Sequence, residues 1–388
     1  MKKIIIVLPG NLPVPVSKGG AVETLVQMLI DENEKKNLYN FTLFTYYDKV
    51  AYEKSLRYKN CKFFFIKKRK VLDKILYLLF RIFRKMHIAI PDNYLRYKSF
   101  DYIKKHKNDI NYILFEAGEV YSFLCLKKIK NVKLIIHAHW NPPFYLEYNE
   151  MFSAYIGVSN FIVNNWMTKT KNNFFVLNNR INSNLFTKRL SALEIERLKN
   201  KLNISNEFIA IYTGRMVEEK GVYELISAFD SLEKDKFKLI IIGSSNFGIS
   251  TNTLYEKKIN RLIEKNKEKI LFTGYLPNSE LYKYYSIANV SVIPSIFDDP
   301  APLVAIEASA SAKAIITTGS GGIKEYISSE GAIFVDKNNL INEIYCSIIK
   351  LSNNIDLCKR MGEKNFEKFM KNNNESYIDD FSKILEKI

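Results

Sequence analysis

Short apolar runs alternate along the chain with longer amphipathic stretches, almost from one end to the other. Ile4–Leu8, Phe41–Thr45, Lys62–Ile66, Tyr112–Phe115, Lys133–His137, Tyr155–Val158 and Phe174–Leu177 are rich in β-branched and aromatic residues. They are too short for buried helices and read as strands. A helical pattern from about Ala21 to Lys35 follows the first of them. The same grammar restarts with Phe208–Thr213 and a helix near Val222. It continues through Lys238–Ile242, Ile270–Phe272, Val290–Ile293, Ala314–Thr317 and Ala332–Val335. Strands separated by helices predict parallel βαβ units with helices on both faces. The fold class expected is α/β, with two Rossmann-like domains whose parallel sheets face a central cleft, and a helical C-terminal tail. The expected boundaries are residues 1–182, 183–370 and 371–388, the last a helix that packs back on the first domain.

Composition agrees with that division. A chain of 388 residues exceeds what one core usually organises, and 47% hydrophobic with 26% charged residues describes a folded protein. The four cysteines lie far apart with no CxxC pair, which argues against a disulfide framework or zinc ribbon and for reduced thiols. The basic start and apolar run Ile4–Leu8 stop at Pro9-Gly10, too soon for a secretory h-region, and no stretch is long enough to span a bilayer. A cytoplasmic protein is expected.

The net charge of +17 changes the picture because it is uneven. Residues 61–110 hold fourteen lysines and arginines against four acids. Within them, residues 67–85 place Val71, Leu72, Ile75, Leu79, Ile82 and Phe83 at helical spacing, with Lys74, Arg81 and Lys85 off that face. A basic helix with an apolar side suits a membrane interface, where each cation near anionic headgroups adds about 1 kcal/mol. The expected partner is an anionic membrane surface, on the inner face of the cytoplasmic membrane. Nucleic acid is not expected, since no Cys/His spacing, RNP-like aromatic motif or helix-turn-helix pattern accompanies the charge.

Candidate chemistry lies in loops after strands, where ligands of such sheets bind. Gly19-Gly20 sits between the first strand and its helix, where bare amides suit a phosphate. Arg215 and Lys220 sit five apart between a strand and a helix, and together would balance a diphosphate without a metal. Asp299 and Glu307 lie eight apart, the first in a proline-rich loop and the second one turn into a helix beginning at about Leu303. Carboxylates so placed can accept hydrogen bonds from sugar hydroxyls. His137 and His139 share one side of a strand by period, so a metal pair has to be considered. Neither a third nearby His nor a Cys supports it, and no metal is expected.

These segments together resemble the retaining glycosyltransferases of family 4, which have the GT-B architecture, over nearly the whole chain. Leu12 to Ala21 resembles the family's N-terminal glycine loop, and Tyr155-Ile156-Gly157-Val158-Ser159 its "advIavS" strand. Gly214-Arg215 with Glu219-Lys220-Gly221 resembles "GRL-x-x-EKG". Gly274-Tyr275-Leu276, followed by Tyr285 and Pro294-Ser295, is similar to its nucleotide-side loops. Asp299 to Glu307 matches E-x7-E, and Gly321 to Glu325 the "GG-I-x-E" that follows. The resemblance implies that Arg215 and Lys220 hold the diphosphate of a nucleotide-sugar donor, helped by backbone at Gly19 and Gly20. It implies that Glu307 binds ribose hydroxyls, that Asp299 contacts the transferred sugar, and that Tyr275 and Leu276 flank the base. Amides at Leu303 and Val304 would face the distal phosphate or sugar. His139 is similar to the family's N-domain His near the donor sugar, with His137 the other candidate.

Three departures accompany the resemblance. Asp299 stands for a Glu, Pro302 for the glycine of an "FG" pair, and Asn179-Arg180-Ile181-Asn182 for an "NG-I/V-D" turn. The expected activity is metal-independent, retaining transfer from a nucleoside-diphosphate sugar, by family habit a UDP-sugar, to a lipid-linked or growing cell-surface glycan. Diphosphate oxygen itself would serve as base, and no cofactor is expected. The rival reading is a catalytically inactive GT-B module that binds a glycan or a partner.

Overall fold

The computed structural model describes the chain except residues 11, 18–19, 117–119, 142–150, 168–172 and 245–252. It divides into two compact units, Met1–Asn179 with Glu375–Ile388, and Arg180–Asn374. Each is built on one parallel sheet. In the first, β1 (Lys2–Val7), β2 (Tyr39–Tyr46), β3 (Cys61–Ile66), β4 (Tyr112–Glu116), β5 (Lys133–Ala138), β6 (Ala154–Gly157) and β7 (Phe174–Val176) lie in the order β3-β2-β1-β4-β5-β6-β7. In the second, β8 (Phe208–Thr213), β9 (Phe237–Ile242), β10 (Ile270–Gly274), β11 (Val290–Ile293), β12 (Ala314–Thr317) and β13 (Ala332–Phe334) lie in the order β10-β9-β8-β11-β12-β13. The apolar runs became strands because helices cover both faces: every residue of β8 and β9 is buried.

Both orders reverse once, between β1 and β4 and between β8 and β11. Connections leave in opposite directions at such a point, so the carboxyl ends of those strands are left uncovered for a ligand.

The last helix, Tyr377–Lys387, belongs to the first unit although it follows the second in sequence. It buries Tyr377, Ile378, Phe381 and Leu385 in a core shared with Leu29, Ile30 and Tyr39, and Phe381 meets Tyr39 edge-on at 6.2 Å. Lys36 Nζ fastens its start, donating to Ser376 Oγ at 2.9 Å and to Asp379 Oδ2 at 2.5 Å.

Helix Lys70–Lys85 is attached differently. Phe80 is its one buried side chain, with Leu72, Asp73, Leu76, Phe83 and Arg84 half-buried beside it. Val71, Ile75, Leu78, Leu79 and Ile82 are exposed, Val71 by 73% and Leu78 by 58%. At 100° per residue these five form one stripe, and Lys70, Lys74, Arg81 and Lys85, all exposed, form a row along its border. The apolar pattern therefore divides between two faces. Leu72 and Phe83 turn to the protein, and Leu78 joins the stripe left in water.

Candidate active site

In the second unit the candidate residues gather at the carboxyl ends of β8, β11 and β12. After β8 the chain makes a single turn, Glu218–Lys220, that ends at Gly221 in the left-handed conformation, φ +68°. Any Cβ at Gly221 would overlap the Pro294 carbonyl, so glycine lets this loop lie against the one that follows β11. Ile296 N–H closes the contact by donating to the Glu219 carbonyl at 2.9 Å. Gly321, φ +64°, brings the loop after β12 equally close to Asp299, whose carbonyl accepts from Gly322 N–H at 2.8 Å.

This packing joins two predicted site residues directly. Lys220 Nζ donates to Asp299 Oδ2, and the ammonium lies 4.6 Å from the centre of the Phe297 ring. Both side chains are mostly withdrawn from water, 18% and 9% exposed. Arg215 is placed otherwise. Its side chain is 44% exposed and pairs with Glu219 at 2.8 Å, while its carbonyl accepts from the Tyr212 hydroxyl at 2.7 Å.

Glu307 lies inside the helix Leu303–Ala310 and is 4% exposed. Burial pushes its carboxyl up to about 7, against the opposing pull of the Tyr285 hydroxyl 3.5 Å away. That hydroxyl also bonds Thr213 Oγ1 at 2.7 Å, so Thr213 at the end of β8 and Tyr285 orient the acid. Leu303 and Val304 open the helix, whose amides carry no side-chain cap. Tyr275, 40% exposed, and Leu276 follow β10 at the edge of the sheet. Arg180, at the position of the departed glycine turn, is buried and donates to the Asn372 carbonyl.

In the first unit, Gly20 precedes helix Ala21–Lys36, and Gly19 lies outside the described residues. The Glu23 carboxylate stands over Gly20 at that helix end. Burial raises the Glu23 carboxyl, against the backbone amides of Glu23 and Leu12. A phosphate at Gly20 would therefore meet a buried acid beside the amides.

At the ends of β4 and β5 stands a cluster that the sequence reading found only in part. Glu116 Oε2 accepts from His137 Nδ1 at 2.9 Å and from His139 Nε2 at 2.6 Å. The three side chains are 3%, 1% and 7% exposed. Burial opposes the Glu116 charge, but the two imidazoles prevail and bring its carboxyl down to about 2. Burial, then His137, lowers His139, against the pull of Glu116. Glu116 was missed because it sits 21 positions from His137, yet an acid closing a buried parallel strand was the available signal.

Among the described residues this is the one group of three whose ligand atoms converge, all within 4.8 Å of one another. The 2.6 and 2.9 Å contacts to one Glu116 oxygen are hydrogen bonds.

Comparison with known proteins adds the following. The solved structure of Anabaena HepE in complex with UDP-glucose superimposes with a TM-score of 0.77 over 100% of both chains, at 14% identity. The chain has the GT-B fold. Residues 194–368, all within the second unit, match the family model "Glycosyl transferases group 1". A Salmonella typhimurium lipopolysaccharide 1,2-N-acetylglucosaminetransferase is 28% identical over 138 residues, 34% of this chain and 36% of that protein. The Staphylococcus aureus capsular polysaccharide biosynthesis glycosyltransferase CapM is 28% identical over 177 residues, 45% of this chain and 44% of that protein. The chain thus matches well under two thirds of either relative's length. In this GT-B chain, Arg215, Lys220, Tyr275, Leu276, Asp299, Leu303, Val304 and Glu307 all lie inside the matched segment.

Proposed function

We propose that this protein is a retaining glycosyltransferase that moves a sugar from a UDP-sugar to a lipid-linked or growing cell-surface glycan without a metal. The observation that carries the reading is the Lys220–Asp299 pair at the reversal of the second sheet, beside the uncapped amides of Leu303 and Val304 and the buried Glu307. The group 1 match over the same residues and the names of the relatives support it. The anionic membrane contact through residues 67–85 is part of the proposal, supported by the exposed apolar stripe and its bordering cations. Among the described residues no helix is long and apolar enough to cross a membrane.

The chemistry follows from charge. As the anomeric bond breaks, the diphosphate takes up negative charge and the anomeric carbon becomes oxocarbenium-like. Lys220 leaves Asp299 for the diphosphate, and Arg215 exchanges Glu219 for it. The freed Asp299 carboxylate accepts a hydroxyl of the transferred sugar. Glu307, once ionised, accepts the ribose hydroxyls. Such preorganised donors each contribute about 3–4 kcal/mol, or about 10²–10³ in rate.

The test is nucleotide release from UDP-sugars by the purified protein. Lys220→Ala and Arg215→Ala should each lower turnover about 10²–10³-fold with the circular dichroism spectrum unchanged. Turnover should persist in EDTA. Near-normal turnover in the double variant would sink the assignment. Tight UDP binding with no release or transfer would favour the inactive module.

A further inference from the structure

The first unit carries a cavity of about 780 Å³ with a strongly basic rim. Lys104 and Lys107 reach it from the end of helix Tyr94–His106, and Lys127 and Lys128 from just after the helical turns Val120–Leu126. These segments lead into β4 and β5, so the cavity lies toward the amino ends of those strands, away from the ends where ligands of such sheets bind. Ile88, Tyr121, Leu124 and Ile129 give it an apolar wall, and its lining holds no acid among the described residues. Burial raises the Cys125 thiol in that wall to about 11, against the pull of Lys104, so it adds no negative charge near neutral pH. The volume is that of a small-molecule site.

Cations near a helix end offset its dipole, and that accounts for each pair of lysines alone. It does not account for two such ends sharing one cavity. Four ammoniums around a space without acids repel one another, and an anion among them removes the repulsion. A phosphate monoester suits the place. It carries a charge of about −1.5 to −2 and three acceptor oxygens, and lysine binds phosphate as a point charge.

The cavity also adjoins the exposed helix. The chain leaves Lys70–Lys85 through His87 in the left-handed conformation, φ +57°, and Ile88 N–H donates back to the Phe83 carbonyl at 2.9 Å. That turn carries His87, Ile88 and Ala89 to the rim. Met86 continues the apolar stripe past Ile82 and is exposed, and Ile88 belongs both to the exposed surface and to the lining. Tyr121 ties the helix to the cavity wall: Phe80 meets its ring edge-on at 6.4 Å, and the Arg84 guanidinium lies 5.8 Å from its centre. An apolar stripe that ends at a basic cavity matches a molecule with an acyl end and a phosphate end.

We propose that this cavity binds the phosphate monoester headgroup of a membrane lipid, with Lys104, Lys107, Lys127 and Lys128 around the phosphate and the acyl chains along the stripe. The proposal rests on the membrane contact of residues 67–85 and is independent of the transferase reading. Attraction of scattered cations to a bilayer depends on surface charge alone, whereas a headgroup site distinguishes lipids at equal charge.

Co-sedimentation should compare phosphatidylcholine vesicles containing phosphatidate with vesicles containing phosphatidylserine at matched zeta potential. Wild type should bind the phosphatidate vesicles about tenfold more tightly, the worth of one charge-assisted hydrogen bond. Lys104→Gln with Lys128→Gln should abolish that preference. Lys105→Gln with Lys130→Gln removes the same charge from exposed neighbours outside the lining and should keep it. All four lysines are exposed, so both variants should melt near wild type. Equal binding of the two kinds of vesicle by wild type, or a preference lost alike in both variants, overturns the headgroup site and leaves the membrane contact standing. Binding to neither kind overturns both, while nucleotide release from UDP-sugars still tests the transferase reading. Inorganic phosphate, set against sulfate of equal ionic strength, should leave vesicle binding unchanged. Selective release by phosphate would assign the cavity to the free anion and overturn the lipid.

Discussion

Glu307 shows what burial does to a single functional acid. Its carboxyl is raised to about 7, so near neutral pH it is divided between a protonated and an ionised form. The folded protein therefore holds a proton that the unfolded chain gives up from pH 4.5 upward. Stability falls as pH rises from about 4.5 to about 7, and the penalty is complete above that. Glu307→Gln should remove it, stabilising the free protein by up to about 3 kcal/mol at pH 8 and hardly at all at pH 4. The same carboxylate has to be ionised to accept ribose hydroxyls. UDP binding should accordingly tighten between pH 6 and pH 8 in wild type and lose that dependence in the Gln variant, as titration calorimetry would show. Arg215, Lys220, Asp299 and Glu307 were legible as site candidates because loop-and-helix spacing marks them. The Lys220–Asp299 pair was not, because it joins residues 79 positions apart whose meeting depends on how closely two glycine-bearing loops pack. Glu116 was hidden for the same reason, since only the pairing of β4 with β5 brings it to His137.

Among the elements, helix Lys70–Lys85 differs most from its neighbours. An ordinary packed helix buries its apolar stripe, whereas this one holds to the protein through Phe80 and leaves a second stripe in water. The cations beside that stripe support the proposed contact with an anionic bilayer surface. Changing Lys70, Lys74, Arg81 and Lys85 to Gln should lower binding to vesicles containing phosphatidylserine at least a hundredfold, at about 1 kcal/mol per charge. It should also remove most of the salt dependence seen in co-sedimentation. Ile75→Asp with Leu78→Asp should weaken binding to all vesicles and leave the melting temperature near wild type, since both residues are exposed. Binding by wild type that ignores salt would refute the electrostatic part. Helical spacing alone revealed this element and its charge. Which apolar residues remain in water was settled by how much of the helix the first unit covers.

For the molecule as a whole, the division into units does not follow the chain from end to end. Helix Tyr377–Lys387 completes the first unit's core after the second unit has been made. Phe381→Ala should cost about 3–5 kcal/mol, as deleting a buried aromatic ring usually does. Differential scanning calorimetry should show the transition of the first unit lowered and that of the second nearly unchanged. A uniform downward shift of both would mean that the units unfold together. The alternation of apolar runs determined the strands of both sheets and their parallel α/β character, because a strand buried on two faces needs unbroken apolar residues wherever it ends up. Spacing within loops likewise marked the residues able to meet charge or hydroxyls. Only the tertiary structure decided the strand orders, the pairing of Lys220 with Asp299, and the hydrogen bonds that join Glu116 to two histidines. The physical reason is range. Hydrophobic period and turn chemistry act over a few residues, whereas burial, strand register and loop contact act between residues far apart in the chain, and these set the protonation and pairing of a site.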